Sequence, residues 1–367
     1  MDLFDAMADA EAREGGFEAL HFFHDRPSGL RAIVALHDRR LGPALGGTRA
    51  LSSYPSETAA VTDVLRLARG MTYKAALAGV PHGGGKAVIL LPTRPFDRPA
   101  LFEAFGRAVD SLGGRYITTE DSGSTPTDME SVRRGTRFVV GQPHARGGSG
   151  DPSPVTAFGV LRGIEAVARF GLQRRDLQGL RVALLGVGHV GFELARLLTR
   201  AGATLVVADV DGAKAERAQA ELGCRIVSPT AIFGEPCDVF SPNALGAILD
   251  DETVPQLRCK AVAGAANNQL AEPRHGAALR ARGILYAPDY AINAGGLINV
   301  ALEWSGYDEG LARAATSRIY ETMLEIFERA QAEGRDPASV ANDLAEARLR
   351  APAPVPARTA AAAIAAA

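Results

Sequence analysis

Apolar and polar positions follow two different patterns along this chain, and the change of pattern divides it. From Leu30 to His37 the residues are almost continuously apolar, which predicts a buried strand. Ala87 to Leu91 repeats the pattern, and Pro92 ends it. Between them Ala60, Val61, Val64, Leu65 and Ala68 fall on one helical face, predicting a helix over 57–69. A second helix is expected over 98–112 and a short strand over 115–118. At 147–154 the composition changes to Gly-Gly-Ser-Gly-Asp-Pro-Ser-Pro, which regular elements tolerate poorly, so a connection between two domains is placed there. Beyond it, short aliphatic strands at 181–185, 204–208, 237–240, 261–263 and 284–286 alternate with amphipathic helices. That alternation predicts a parallel sheet wrapped by helices. A long helix over 308–331 and a shorter one over 337–350 follow. The Pro- and Ala-rich end, 351–367, holds too little to build a core and is expected to be a disordered tail.

The fold class predicted is therefore α/β in two domains separated by a cleft. Residues 1–140 with 331–350 form the first domain, and 150–330 form a doubly wound, Rossmann-type second domain. A chain of 367 residues fits two cores of ordinary size. The net charge of -2 supplies no field for nucleic acid, and no basic cluster supplies one locally. The acidic start, Met1-Asp2-Leu3-Phe4-Asp5, lacks a secretory pattern, and no apolar run is long enough to span a bilayer. Cys224, Cys237 and Cys259 are odd in number and show no metal-ligand spacing. No metal site is expected, and a cytoplasmic, reducing environment is.

The first chemical signal is Gly186-Val187-Gly188-His189-Val190-Gly191-Phe192, running from the strand at 181–185 into a helix. In that context the glycines permit a tight turn, close approach to a pyrophosphate, and packing of helix on sheet. Asp209 ends the following strand, where a carboxylate accepts ribose hydroxyls and repels a 2′-phosphate, which favours NAD over NADP. Asp209 can also be read as a cap for the next helix. His189 reads as a loop residue. The other glycine run, Gly83-Gly84-Gly85-Lys86, does not fit a triphosphate-binding loop: Val80 stands where its first glycine belongs, and Ala87 replaces the metal-binding hydroxyl.

Lys74 and Lys86 provide the second signal. Two ammonium groups in one cleft repel, so each loses its proton more readily, one way of making a lysine a base. The three glycines suggest a tight turn aiming Lys86 into a pocket, although a solvated lysine beside a glycine turn reads equally well. Thr118-Thr119-Glu120-Asp121-Ser122-Gly123 lies at a predicted strand end, where α/β domains collect ligand groups. Asp121 near two lysines would stay ionised and shuttle protons; alone, it is as readily a turn former.

These segments, together with Leu41–Arg49, Gly70–Lys74, Ala263–Leu270 and Ala287–Gly296, resemble the glutamate, leucine, phenylalanine and valine dehydrogenases, and among them the leucine dehydrogenases most closely. The resemblance spans about residues 15 to 350. It implies NAD-dependent oxidative deamination of an L-amino acid to a 2-oxo acid and ammonia, by a homo-oligomer assembled through the first domain. By the same resemblance Lys74 holds the substrate carboxylate, Lys86 is the base that activates water, and Asp121 relays protons. Gly46 and Asn268 help place the substrate, with Asn268 also near the cofactor.

Glutamate-specific relatives bind the second carboxylate with a lysine and a serine, whose places here fall to Leu45 and Val300. Burying a carboxylate against two aliphatic groups would cost several kcal/mol, on the order of 2–7, so glutamate is not expected. With Thr119 and Leu297, the pocket should accept leucine, valine or isoleucine. Phenylalanine is the alternative within the family, and a non-catalytic NAD-binding regulatory module is the alternative outside it. Plain core packing is the other reading of Leu45, Leu297 and Val300.

Overall fold

The computed structural model describes residues 4–5, 7–8, 16–244 and 246–351, and two sheets organise them. The expected tail, from 352 onward, lies outside the described residues. The first sheet contains β1 (Ala19–Asp25), β2 (Leu30–Asp38), β3 (Ala44–Leu51), β4 (Gly83–Leu90) and β5 (Tyr116–Glu120), in the order β1-β2-β4-β3-β5. β2 runs antiparallel to both neighbours, whereas β3 is parallel to β4 and β5. The near-continuous apolar run of β2 is explained by burial on both faces. Ala32, Val34 and Leu36 pack with α2 (Arg98–Asp110) and α3 (Pro126–Gly135), while Ile33 and Ala35 pack with α1 (Glu57–Ala78).

Helix α1 exceeds the expected 57–69. Ser56 caps its start by accepting from the Ala59 N–H, and Gly79, in the left-handed conformation at φ 66, ends it. Its last turns are held by a second partner, which periodicity within one face does not show: Tyr73, Ala75, Ala76 and Leu77 belong to the core of the second domain. α12 (Pro337–Arg350) also packs on these turns: Arg348 donates to Leu77 O at 2.7 Å, and the Tyr73 hydroxyl donates to Glu346.

The glycine triplet is not the turn expected from the sequence. Gly83, Gly84 and Gly85 lie inside β4, and none has positive φ. Close approach explains them: a Cβ on Gly84 would fall 2.1 Å from Thr72 N of α1, and one on Gly46 of β3 would fall 1.8 Å from Gly85 O. β3 itself escaped notice because Gly46-Gly47 interrupts its apolar pattern.

The second sheet contains β6 (Arg181–Leu185), β7 (Thr204–Ala208), β8 (Arg225–Ile226), β9 (Val239–Pro242), β10 (Ala261–Val262) and β11 (Leu285–Tyr286). All its pairs are parallel, in the order β11-β10-β9-β6-β7-β8. This is the doubly wound order of dinucleotide-binding domains, with the reversal of winding between β6 and β9. Its helices are α4 (Ser153–Gly171), α5 (His189–Arg200), α6 (Gly212–Leu222), α7 (Arg274–Ala281), α8 (Asp289–Ile292) and α9 (Gly295–Glu303). The long helix expected over 308–331 is two, α10 (Glu309–Ser317) and α11 (Ile319–Glu333). They part at Arg318, whose N–H donates to Ala315 O at 3.2 Å, and Arg162 Nε donates to Ser317 O beside the break at 3.4 Å.

The close fit at β4 makes a checkable demand. Gly84→Ala should lower stability in chemical denaturation by about 2–3 kcal/mol, the cost of overpacking against backbone. A wild-type denaturation midpoint would show that α1 and β4 can separate freely.

Candidate active site

Four elements of the first sheet converge on one point. Lys86 projects from β4, Asp121 stands just past the end of β5, Gly47 lies on β3, and Lys74 comes from the last turns of α1. The register sets Gly47 opposite Thr119 and Leu45 opposite Gly84, so the missing side chain of Gly47 faces the ion pair. A Cβ there would meet Asp121 Cβ at 2.7 Å and Lys86 Nζ at 3.2 Å. Only glycine leaves room for the two side chains to touch.

Lys86, buried, forms an ion pair with Asp121. Ser122 N donates to Asp121 Oδ1 at 2.6 Å, and Arg49 Nε lies 3.9 Å from Oδ2. Burial alone would raise the Asp121 carboxyl, but Lys86 and Arg49 hold it well below the usual carboxylate range. Lys74 Nζ donates to Asn267 Oδ1 at 3.1 Å. Burial pulls this ammonium down to about 8; the buried Asp289 opposes that pull and the charge of Lys86 adds to it. The repulsion expected between the lysines is thus present, but desolvation is the larger effect. Asp289 is itself pushed up, by burial, while accepting from Gln269 N at 3.1 Å and Tyr290 N at 2.9 Å.

Beside the ion pair is a cavity of about 160 Å³ walled by Leu45, Met71, Thr119, Leu297 and Val300. A larger cleft of about 1070 Å³ continues from Lys74 and Asp121 past Asn293 and Gly296 to His189 and Val190 at the start of α5. The chemistry site and the glycine loop therefore face one space.

At the loop the three glycines have three physical reasons. Gly186 has φ 92, and a Cβ would meet Ala244 Cβ at 2.7 Å. A Cβ on Gly191 would fall 2.0 Å from Gly186 O, so this glycine lets helix pack on loop. A Cβ on Gly188 would meet nothing within 4 Å; it would occupy open space at the helix start, where backbone N–H groups attract a pyrophosphate. This arrangement fits a dinucleotide. Asp209 accepts from Val187 N at 2.8 Å and Asp211 N at 2.9 Å, pinning the loop to the end of β7. The cap of α6 is Asp211, accepting from Ala213 N at 3.2 Å. Val187 is buried, and Phe192 turns away from the ligand space: its N–H donates to Gly188 O, and Arg217 lies 4.0 Å over its ring.

Gly47, not Gly46, lines the cavity; Gly46 serves the fit of β3 on β4 and accepts from the Tyr116 hydroxyl at 2.7 Å. Lys74 bonds Asn267, while Asn268, the neighbouring residue named from the resemblance, has φ 52. Asn293 Nδ2 donates to the same Asn267 oxygen at 2.7 Å and to Ala265 O at 3.0 Å, holding that side chain in place. Asn267, Asn293, Met71 and Asp289 were not singled out in the sequence. The available signal was position: Asn267 follows β10 and Asp289 follows β11, at carboxyl ends of parallel strands.

A doubly wound nucleotide domain facing a lysine–carboxylate site across a cleft defines a two-domain dehydrogenase. Two family models match the chain: the Glu/Leu/Phe/Val dehydrogenase dimerisation domain over residues 19–137, and glutamate/leucine/phenylalanine/valine dehydrogenase over residues 214–345. The chain is 48% identical to leucine dehydrogenase of Thermoactinomyces intermedius, over 95% of this chain and 94% of that protein. It is 47% identical to L-tryptophan dehydrogenase of Nostoc punctiforme, over 92% of this chain and 94% of that one. It is also 47% identical to phenylalanine dehydrogenase of Caldalkalibacillus thermarum, over 91% of each. The crystal structure of the Nostoc enzyme superposes with a TM-score of 0.80 at 44% identity, covering 95% of this chain and 98% of that one. The hetero-hexameric glutamate dehydrogenase of Thermus thermophilus gives 0.77 at 25% identity, covering 95% of each. The chain belongs to the glutamate, leucine, phenylalanine and valine dehydrogenase family and is an amino-acid dehydrogenase.

Asp121→Asn should leave the Lys86 ammonium without a charged partner and lower stability by about 3 kcal/mol near neutral pH. Because the folded carboxyl is depressed, its contribution is present above the ordinary value of 3.8 and is lost as pH falls below it. Denaturation curves of wild type and variant should therefore differ at neutral pH and converge as the pH falls below that value. Equal stability at neutral pH would contradict the assigned pair.

Proposed function

We propose that this chain catalyses NAD-dependent oxidative deamination of branched-chain L-amino acids, leucine with valine and isoleucine, to the 2-oxo acid and ammonia. The observation that carries the reading is the aliphatic cavity of Leu45, Met71, Leu297 and Val300 opening beside Lys74 and the Lys86–Asp121 pair. No cation faces the far wall to receive a second carboxylate among the residues that line it, which argues against glutamate. The similar identity to tryptophan and phenylalanine dehydrogenases favours an aromatic amino acid as the second reading.

In this reaction Lys74 holds the substrate carboxylate as a point charge, and Asn267, fixed by Asn293, sets the position of that ammonium. Bound NAD would supply the acceptor for the hydride leaving the substrate Cα. Lys86 first passes its ammonium proton to the Asp121 carboxylate it touches, and the neutral Nζ then takes a proton from the water that attacks the imine carbon. Asp121, in contact with Nζ, carries protons to and from the departing nitrogen. Closing the cleft excludes bulk water and strengthens each of these interactions. The N–H groups at the start of α5, with Gly186, Gly188 and Gly191, would hold the pyrophosphate, and Asp209, just past β7, would favour NAD by repelling a 2′-phosphate. The same reading divides the chain into a substrate-binding and oligomerising domain, 1–140 with 331–350, and an NAD domain, 150–330. The homo-oligomer forms through the first.

Initial rates with NAD and a panel of L-amino acids test this directly. Leucine, valine and isoleucine should lead; no turnover with any of the three defeats the reading. Lys86→Ala should reduce kcat by about 10² to 10⁴ while dinucleotide affinity is kept. Wild-type turnover in that variant would remove Lys86 from its role.

The lowered Lys74 gives a pH dependence. Its ammonium is present below about 8 and lost above it, so affinity for a 2-oxo acid, whose carboxylate does not titrate there, should fall about tenfold per pH unit above that point. Asp289 supports the charged form, so Asp289→Asn should start the decline at lower pH. Fluorescence titration of the enzyme with reduced dinucleotide and 2-oxo acid measures this. An affinity independent of pH from neutral to about 10 would contradict it.

A further inference from the structure

We propose that Glu303, at the end of α9, is a positioning residue for substrate selection. It fixes the segment between the domains so that Gly141 closes the cavity for the substrate side chain. The inference rests on the reading that this cavity receives that side chain.

Past α3 the chain runs beside β5: Thr118 N donates to Phe138 O at 3.0 Å, and Val140 N donates to Thr118 O at 2.9 Å. It then leaves the sheet at Gly141, and there a single carboxylate takes it over. Glu303 accepts from Gly141 N at 2.8 Å, Gln142 N at 3.2 Å, Ser149 N at 2.9 Å and Ser149 Oγ at 2.9 Å. Both ends of the 141–149 excursion are thus tied to one side chain. Asn299, one turn earlier on α9 and fully buried, donates to Ser149 O at 3.2 Å and accepts from the Tyr307 hydroxyl at 2.8 Å. Trp304 stacks on Phe138 with ring centroids 5.9 Å apart.

The consequence lies at the cavity. Gly141, with φ 80, lines it against Thr119; a Cβ would stand 2.6 Å from Thr119 Oγ1. Leu297 and Val300, on the opposite wall, belong to the same helix as Glu303. The carboxylate therefore fixes the distance between the wall carried by β5 and the linker and the wall carried by α9. Backbone N–H groups bonded to a charged acceptor are held more tightly than by neutral bonds, and a displacement of about 1 Å in such a wall is enough to alter selectivity. Glu303 lies outside the residues that line either the cavity or the cleft, so it acts through Gly141 and α9.

The test compares wild type, Glu303→Gln and Glu303→Ala in steady-state kinetics with leucine, valine and phenylalanine, after thermal unfolding has shown which variants fold. Glu303→Ala should raise KM for leucine about tenfold and compress the ratios of kcat/KM among the three substrates, with smaller change in kcat and none in dinucleotide affinity. Glu303→Gln, which keeps an acceptor oxygen, should restore part of the ratio. Wild-type ratios in a folded Glu303→Ala overturn the proposal, as does a loss confined to kcat. If Glu303→Ala does not fold, Gly141→Ala addresses the same wall, and unchanged ratios in that variant overturn it equally. A wild-type enzyme inactive on all three amino acids would instead defeat the reading of the cavity on which this rests.

Discussion

The ion pair between Lys86 and Asp121 is the constraint to which the rest of the first domain is fitted. Two charges taken out of water cost several kcal/mol each unless they meet at short range and their remaining hydrogen-bonding capacity is met. Here Arg49 and the Ser122 N–H complete the surroundings of the carboxylate, and Gly47 withholds the Cβ that would separate the partners. Gly84 and Gly46 then let α1 and β3 approach β4 closely enough to bring Lys74 to the same space. Glycines scattered through the sequence thus serve one electrostatic arrangement.

The second domain answers that arrangement across the cleft. Lys74 belongs to α1, packed on the first sheet, yet its hydrogen bond goes to Asn267 on the loop after β10 and its opposing buried charge is Asp289 at the start of α8. The last turns of α1 are also packed against α12. One helix therefore packs on the first sheet and carries the Lys74 ammonium to groups at the ends of the second.

Much of this was legible in the sequence. The strands at 181–185 and 204–208, the glycine loop between strand and helix, and α12 were expected at the limits observed, because each has a clean pattern and clear terminators. Lys74, Lys86, Asp121, Leu45, Thr119, Leu297 and Val300 were named and are brought to one cavity. What escaped was set by tertiary contact. β3 and the first half of β4 are glycine-rich because neighbours come close, and close approach has no periodicity. α1 runs beyond its apparent end because a second core receives it. The helix over 308–331 breaks at Arg318, beside a bond to Ser317 O from Arg162, distant in sequence. Asn267 and Asn268 are adjacent and alike, and only geometry decides which reaches Lys74.

If Lys86 and Asp121 work as one proton-handling unit, their contributions to turnover cannot be independent. A double-mutant cycle on the single-turnover rate of dinucleotide reduction, with Lys86→Ala, Asp121→Ala and the double variant, measures this most directly. The account predicts that the double variant is about as slow as the slower single variant. Losses that multiply would show two residues acting separately, and would contradict it.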